Sequence, residues 1–415
     1  MAYILIFLLA MVKHLNFLLL ITLSLTVNSQ NIKSVELVPL NKQSPIPIVP
    51  LGSTLQLSFD DLDADNKDYQ YKVEHMTYDW KPSNLQSNQY INGFQQNYII
   101  DVTNSFNTLQ SYTHYRIQIP NQNTIITESG NYLISVLNDD DEVVFSRRCV
   151  FIENKVTVGV NVLRGRNALT NNSEQTVQFI INHKGFQINN PVQEIKVQLF
   201  QNNNWNISVT DIDPLFIRPN QLIYNYTNET NFSGGNEFLF FDNKYIRNTN
   251  VNIAKTTRED IFHNYLYTDI DRSQKPYTYY PDINGNFLIR TLDAENEETE
   301  ADYAMMHFSL GVDQPYENKD VFVYGAFNNY ELTDENRMTY NTLKNTYETS
   351  FLLKQGFYNY TYVTLDKNNK IDLNELNGSF FQTENEYTVI TYYKPFGGLF
   401  YRVIGVGNGF FDQNR

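Results

Sequence analysis

What most constrains this chain is a period of two. Residues 54–59 place Leu55, Leu57 and Phe59 on one side of an extended segment and Gln56 and Ser58 on the other. Residues 155–162 do the same with Val156, Val158, Val160 and Val162, and the pattern returns over 194–199 and 358–365. Successive side chains of a strand point to opposite faces, so such alternation marks a strand with one buried face. No segment carries a long stripe of apolar residues three and four apart, as a helix buried on one side would require. Gaps rich in Asn, Asp and Gly separate the runs, and these residues accept the backbone of hairpins and corners. The aromatic content points the same way, with 30 Tyr and 28 Phe against 2 Trp, because Tyr fits a pleated, half-buried surface. The expected fold class is all-β, built from tandem immunoglobulin-like β-sandwich domains.

Two corners refine this expectation. Glu128-Ser-Gly-Asn-Tyr132 precedes the alternation of 132–137, and Lys354-Gln-Gly-Phe-Tyr358 precedes that of 358–365. In immunoglobulin-like sandwiches a Tyr at the start of a late strand bonds back to the backbone of the preceding corner. The Cys that usually follows is absent, and Ile134 and Tyr360 take the inward positions.

The division expected along the chain is a signal peptide over 1–29, an N-terminal sandwich over 30–153, a middle β domain over 154–302 and a C-terminal early-set-like sandwich over 303–415. Asp293, Glu295, Glu297, Glu298, Glu300 and Asp302 form an acidic run read as a solvated linker. At the N-terminus Lys13 and His14 precede the apolar run Leu15 to Leu25, and the small residues Val27 and Ser29 precede Gln30. That order is a secretory signal's, with an N-terminal anchor as the alternative and Met11 as an alternative start. No later run reaches the ~18 apolar residues that span a bilayer.

The single cysteine, Cys149, cannot form an internal disulfide, and it lies in an apolar alternation as a small buried hydrophobe would. A net charge of −15 repels phosphates and argues against nucleic acid or anionic lipid as partner. Export, an acidic surface and a lack of paired cysteines together describe a bacterial envelope protein.

Catalytic and metal motifs are sparse. The chain has 6 His and no H-E-x-x-H, G-x-S-x-G or phosphate-cradling loop. His75 and His114 lie in alternating strands and read as structural. Asp61-Leu-Asp-Ala-Asp65 resembles a calcium loop but lacks the Gly at the sixth place, and Lys72 stands at the twelfth where a bidentate Glu is required. No cofactor, metal or enzymatic activity is expected. Sequons such as Asn206-Ile-Ser208 reflect an Asn-rich composition.

The blocks Asp60-Asp-Leu62, Asp79-Trp80, Pro82-Ser-Asn-Leu85, Gly93-Phe94, Ser105-Phe-Asn-Thr108, Tyr112-Thr-His-Tyr115, Ser129-Gly-Asn-Tyr132 and Arg147-Arg148 resemble the plug proteins of the type IX secretion system of Bacteroidota. Gly325-Ala-Phe-Asn328, Lys354-Gln-Gly-Phe-Tyr358 and Thr383-Glu-Asn-Glu-Tyr387 extend the resemblance to the C-terminal part. It covers nearly the whole mature chain and is weakest over 160–300; Cys149 departs from the usual residue. The resemblance implies a non-enzymatic periplasmic protein that docks on the very large outer-membrane β-barrel translocon of that system and closes its periplasmic end at rest.

Exposed aromatics and Arg are the commonest interface anchors. On that ground the candidate contact residues are Tyr78, Trp80, Tyr115, Arg147 and Arg148 in the first domain and Phe327, Asn328 and Tyr330 in the last. For each the other reading is a core or corner residue, and on one strand Arg147 and Arg148 point to opposite faces. A second function rests on the C-terminal part, where residues 321–330 resemble glycogen-binding early-set modules with Tyr330 in the place of a Trp. In that reading the protein is a periplasmic glycan binder.

Overall fold

The computed structural model describes residues 31–41, 45–292 and 294–411. The signal-peptide region and Asp293 lie outside the described residues. The fold is all-β, as the alternation requires. Residues from Ile32 onward form one compact unit.

The first sandwich pairs two sheets. One runs in the order Ile32–Pro39, Leu55–Asp61, Thr113–Ile119, Asp101–Asn104; the other runs Ile48–Pro50, Val143–Ile152, Gly130–Leu137, Gln70–Met76, Gln96–Tyr98. Leu55, Leu57 and Phe59 face Tyr71, Val73, Tyr132, Ile134 and Cys149 in a common core. Cys149 is buried, and burial pushes its thiol up, away from the reactive thiolate. The corner expected at Tyr132 is present: its hydroxyl donates to the Glu128 carbonyl at 2.7 Å.

The middle sandwich is not contiguous in sequence. Its first sheet is built from Thr157–Arg164, Glu174–Asn182, Gln221–Tyr224 and Phe216–Arg218, with Asn231–Ser233 also on Glu174–Asn182. Its second runs Ser208–Thr210, Ile195–Gln201, Glu386–Tyr393, Arg402–Phe410. The last two strands of the chain therefore complete the middle sandwich, with Ile195 opposite Tyr393. The third unit lies between these segments. In it Leu239–Asp242 pairs with Gly356–Asp366, and Phe262–Leu266 runs parallel to Tyr303–Gly311.

This pairing crosses the linear division expected at 302/303. Alternation reports that a strand has a buried face, but it carries no information on which strand will lie beside it. The second corner is also formed, with Tyr358 Oη donating to the Lys354 carbonyl at 2.7 Å.

The acidic run is a second correction. It was expected to be solvated, yet its C-terminal part docks on the first sandwich. The single turn Glu297–Glu300 is capped by Asn296, whose side chain accepts from the Glu298 N–H. Beyond it Ala301 and Asp302 are buried. Asp302 accepts from the backbone N–H groups of Leu109 and Gln110 at 2.8 and 3.1 Å, and Tyr112 Oη donates to the Ala301 carbonyl at 2.8 Å. Backbone N–H groups satisfy the Asp302 carboxylate, although its burial still raises it above its ordinary value, and a charge count alone does not reveal such donors.

Candidate functional site

The outward face of strand Leu55–Asp61 is buried as fully as its inward face. Asp60, on that outer face, has no solvent exposure. Its Oδ2 accepts from Lys354 Nζ and from Tyr303 Oη, each at 2.6 Å, and its Oδ1 lies 2.6 Å from His114 Nδ1. Tyr303 and Lys354 are cross-strand neighbours at the ends of Tyr303–Gly311 and Thr346–Lys354. Both reach the same carboxylate of another sandwich. Lys354 Nζ also donates to the Glu298 carbonyl at 2.7 Å and lies 4.1 Å over the Tyr112 ring. Burial alone would raise the Asp60 carboxyl, but Lys354 and His114 outweigh it and hold the group below its ordinary value. At the edge of this seam Arg116 Nη1 donates to Glu298 at 2.9 Å.

A second seam joins the first sandwich to the middle one, and here the structure places three of the candidate anchors. Trp80 meets Trp205 edge-on at 5.0 Å between ring centroids, and its Nε1–H donates to Gln198 Oε1 at 3.2 Å. Arg148 stacks over the Trp80 ring at 5.0 Å. Tyr78 donates to Asp211 at 2.9 Å and packs edge-on against Tyr401 at 5.1 Å. Beneath them Val150, Phe200, Ile390, Tyr392 and Val403 form a small apolar core between the sandwiches.

The other candidates are also engaged within the chain. Tyr115 is fully buried, stacked on Phe59 at 5.0 Å, and cannot present its ring to a partner. Arg147 points away from Arg148, as the strand period demands, and lies over Phe145 at 5.3 Å. Desolvation brings its guanidinium down to about 10, so it stays charged at neutral pH. Phe327 stacks on Phe351 at 6.0 Å, and the Asn328 side chain bonds the backbone of Val323, Gly325 and Glu331. Tyr330 is buried and its hydroxyl donates to the Asn202 carbonyl at 3.3 Å. The aromatic platform that glycan recognition needs is therefore not formed at these positions.

Asp60, Lys354, His114 and Tyr78, titratable groups of these two seams, are engaged in ion pairs and hydrogen bonds within the fold. Among the described residues the acidic group close enough to hold a metal is Asp61, Asp63 and Asp65. Lys67 Nζ sits among these carboxylates, 2.9 Å from Asp61 and 3.4 Å from Asp65, with Asp63 also in contact. His75 is buried against Tyr132 and Phe400, and desolvation lowers it to about 4, so it is neutral.

Sequence reasoning selected residues by type and missed those that are bare. Phe94, Ile100 and Phe106 in the first sandwich are 65, 85 and 71% exposed, and Phe396 near the C-terminus is 94% exposed. The signal available was local: Gly93 precedes Phe94, and Gly397-Gly398 follows Phe396.

The comparisons decide the family. Residues 32–153 match the family model described as the first domain of the type 9 secretion system plug protein. The chain carries the first domain of the type 9 secretion system plug proteins. It is also similar to a hypothetical protein from Parabacteroides merdae ATCC 43184 of known crystal structure. The two are 32% identical and superpose with a TM-score of 0.88, covering 92% of this chain and 97% of that one. The likeness thus extends over all three sandwiches. No curated protein matches significantly. The plug-domain match points to type 9 secretion and to an envelope location. Among the described residues no helix is long and apolar enough to cross a membrane.

Proposed function

We propose that this plug-type protein is the periplasmic lid of the type 9 translocon, closing the inner mouth of its outer-membrane β-barrel when no cargo is passing. The observation that carries the reading is the plug-domain match over 32–153. The two seams support it. A pore wide enough for folded cargo leaks small solutes unless a body of matching size covers it, and that body must not hinge. Here the first sandwich is held to the third by a buried ion pair and to the middle one by paired indoles. The middle and third are knitted together because the chain leaves the middle sandwich and returns to it. A lid that cargo displaces must bind through shape and polar rim contacts rather than covalently, and the buried thiol of Cys149 offers no covalent route.

The test is affinity purification of the tagged mature protein from outer membranes, with identification of what stays bound, together with small-molecule permeability of cells lacking the gene. Co-purification of a giant barrel and raised leakage are expected. A free protein and unchanged permeability would refute the reading.

A further inference from the structure

The turn between strands Glu386–Tyr393 and Arg402–Phe410 is braced at its base and bare at its tip. Phe400 meets His75 of the first sandwich edge-on at 5.4 Å between ring centroids, and Tyr401 meets Tyr78 at 5.1 Å. Lys394 Nζ lies 4.7 Å from the Tyr401 ring centroid, and the Lys394 N–H donates to the Glu194 carbonyl at 2.8 Å. Arg402 lies 5.7 Å from the Phe400 ring and 3.6 Å from Glu128. The tip itself is closed by a bond from the Gly398 N–H to the Pro395 carbonyl at 2.8 Å, with Gly397 at φ 76°. Positive φ at the third residue of a turn is a glycine position.

On this fixed mount Phe396 is 94% exposed and Leu399 is 70% exposed. Neither helps hold the fold together, yet the turn beneath them is ordered by contacts with two sandwiches. An apolar tip that is already in shape loses little freedom on docking, which is the condition under which one or two side chains dominate an interface. The charge around it is also distinctive. Residues 394–402 contain Lys394 and Arg402 and no acidic residue, in a chain whose net charge is −15, and among the described residues the acidic partner of these two cations is Glu128, 3.6 Å from Arg402.

We propose that this turn is the element that enters the translocon. Phe396 and Leu399 fill an apolar socket on the periplasmic rim of the barrel, and the edge of that socket is acidic, facing Lys394 and Arg402. The inference rests on the lid reading above and adds the contact to it. The occupant is protein rather than lipid. The acidic remainder of the molecule is repelled by anionic headgroups, and a two-residue tip lacks the broad apolar face that surface-bound helices bury in a bilayer.

The experiment compares retention of the tagged full-length mature protein on barrel-containing outer-membrane fractions with that of Phe396→Ala/Leu399→Ala and, separately, Lys394→Glu/Arg402→Glu. Phe396 and Leu399 are exposed, so the first variant is expected to melt with the wild-type protein; the second loses the Arg402–Glu128 pair, and its retention is read at a temperature where it is fully folded. The first is expected to be retained about tenfold less, as for loss of a central anchor, and the second to be weakened most at low salt. Wild-type retention with both variants within about twofold of it, a difference of about 0.4 kcal/mol, would overturn the inference and leave the lid reading standing. Loss of retention in the wild-type protein would remove the lid reading and this inference together. Flotation of the wild-type protein, but not of Phe396→Ala/Leu399→Ala, with phosphatidylethanolamine–phosphatidylglycerol vesicles would reassign the tip to lipid and overturn the inference.

Discussion

Lys354 is held at both ends by different parts of the fold: its carbonyl accepts from Tyr358 at 2.7 Å, and its ammonium lies 2.6 Å from Asp60 of the first sandwich. The side chains of the pair are 2 and 1% exposed. A buried ion pair adds little over an apolar pair of equal shape, but removing one partner leaves a charge that water cannot reach. Lys354→Met is therefore expected to cost about 3–5 kcal/mol in denaturant unfolding. The double variant Asp60→Asn/Lys354→Met should recover a large part of that. Because Asp60 is held below its ordinary value of 3.8, the pair's contribution is present above about pH 4 and is lost in stronger acid. Equal losses in the single and double variants would show that the two charges are not coupled.

The two tyrosine corners invite a graded comparison. The hydroxyl of Tyr358 and its acceptor are buried, whereas the corner at Tyr132 is partly open to water. Tyr132→Phe is expected to cost about 0.5–1.5 kcal/mol, the net value of an ordinary hydrogen bond. Tyr358→Phe should cost more, about 1–3 kcal/mol, because the Lys354 carbonyl is left without water or donor. The midpoint of urea unfolding, at unchanged slope, measures both.

Neutral pH places a carboxylate under strain at the seam of the middle and third units. Glu237 is buried, and its Oε2 has no hydrogen-bond partner although Oε1 accepts from Tyr277. Desolvation pushes its carboxyl from 4.5 up to about 7, and that of nearby Asp282 from 3.8 up to about 6. A raised acid is bound to its proton in the fold when the unfolded chain has released it. The stabilising effect of that proton is full below about pH 4.5 and disappears as pH rises through 7. Glu237→Gln, with no charge to form, should gain stability relative to the parent over that window. His75 titrates with the opposite sign between about 4 and 6.5, so the difference between the two proteins, rather than either curve, is the quantity to follow. A difference that does not vary between pH 4.5 and 7.5 would contradict the assignment.

The chain's 2 Trp come from different sandwiches, and their rings lie 5.0 Å apart, close to perpendicular at 73°. Indoles this near couple their transitions, so circular dichroism in the ultraviolet should carry an exciton couplet specific to the first seam. Trp205→Phe removes the couplet while keeping an aromatic against Phe200. Retention of the couplet in that variant would show that it arises elsewhere. The same signal reports whether the seam opens.

Several things were legible in the sequence because they are local. Alternation made the strands and assigned Leu55, Leu57 and Phe59 to the core. The Gly-x-Tyr corners were readable because donor and acceptor lie four residues apart. The calcium-like loop was read as an acidic turn on its spacing, and the structure adds that Lys67 pairs with its carboxylates. The anchors were not legible. Trp80, Tyr78 and Arg148 have the chemistry of interface residues, and the structure sets them at the interface between two sandwiches of this chain.

The sequence by itself determined an all-β chain, its corners and its resemblance to the plug proteins, since period and short motifs survive without partners. Only the tertiary structure decided that the last strands return to the middle sandwich and that the acidic run docks instead of floating. It also decided which aromatics are bare. Strand pairing and burial depend on residues hundreds of positions apart, as Asp60 and Lys354 are, and a side chain's chemistry is indifferent to whether its partner belongs to the same chain or another.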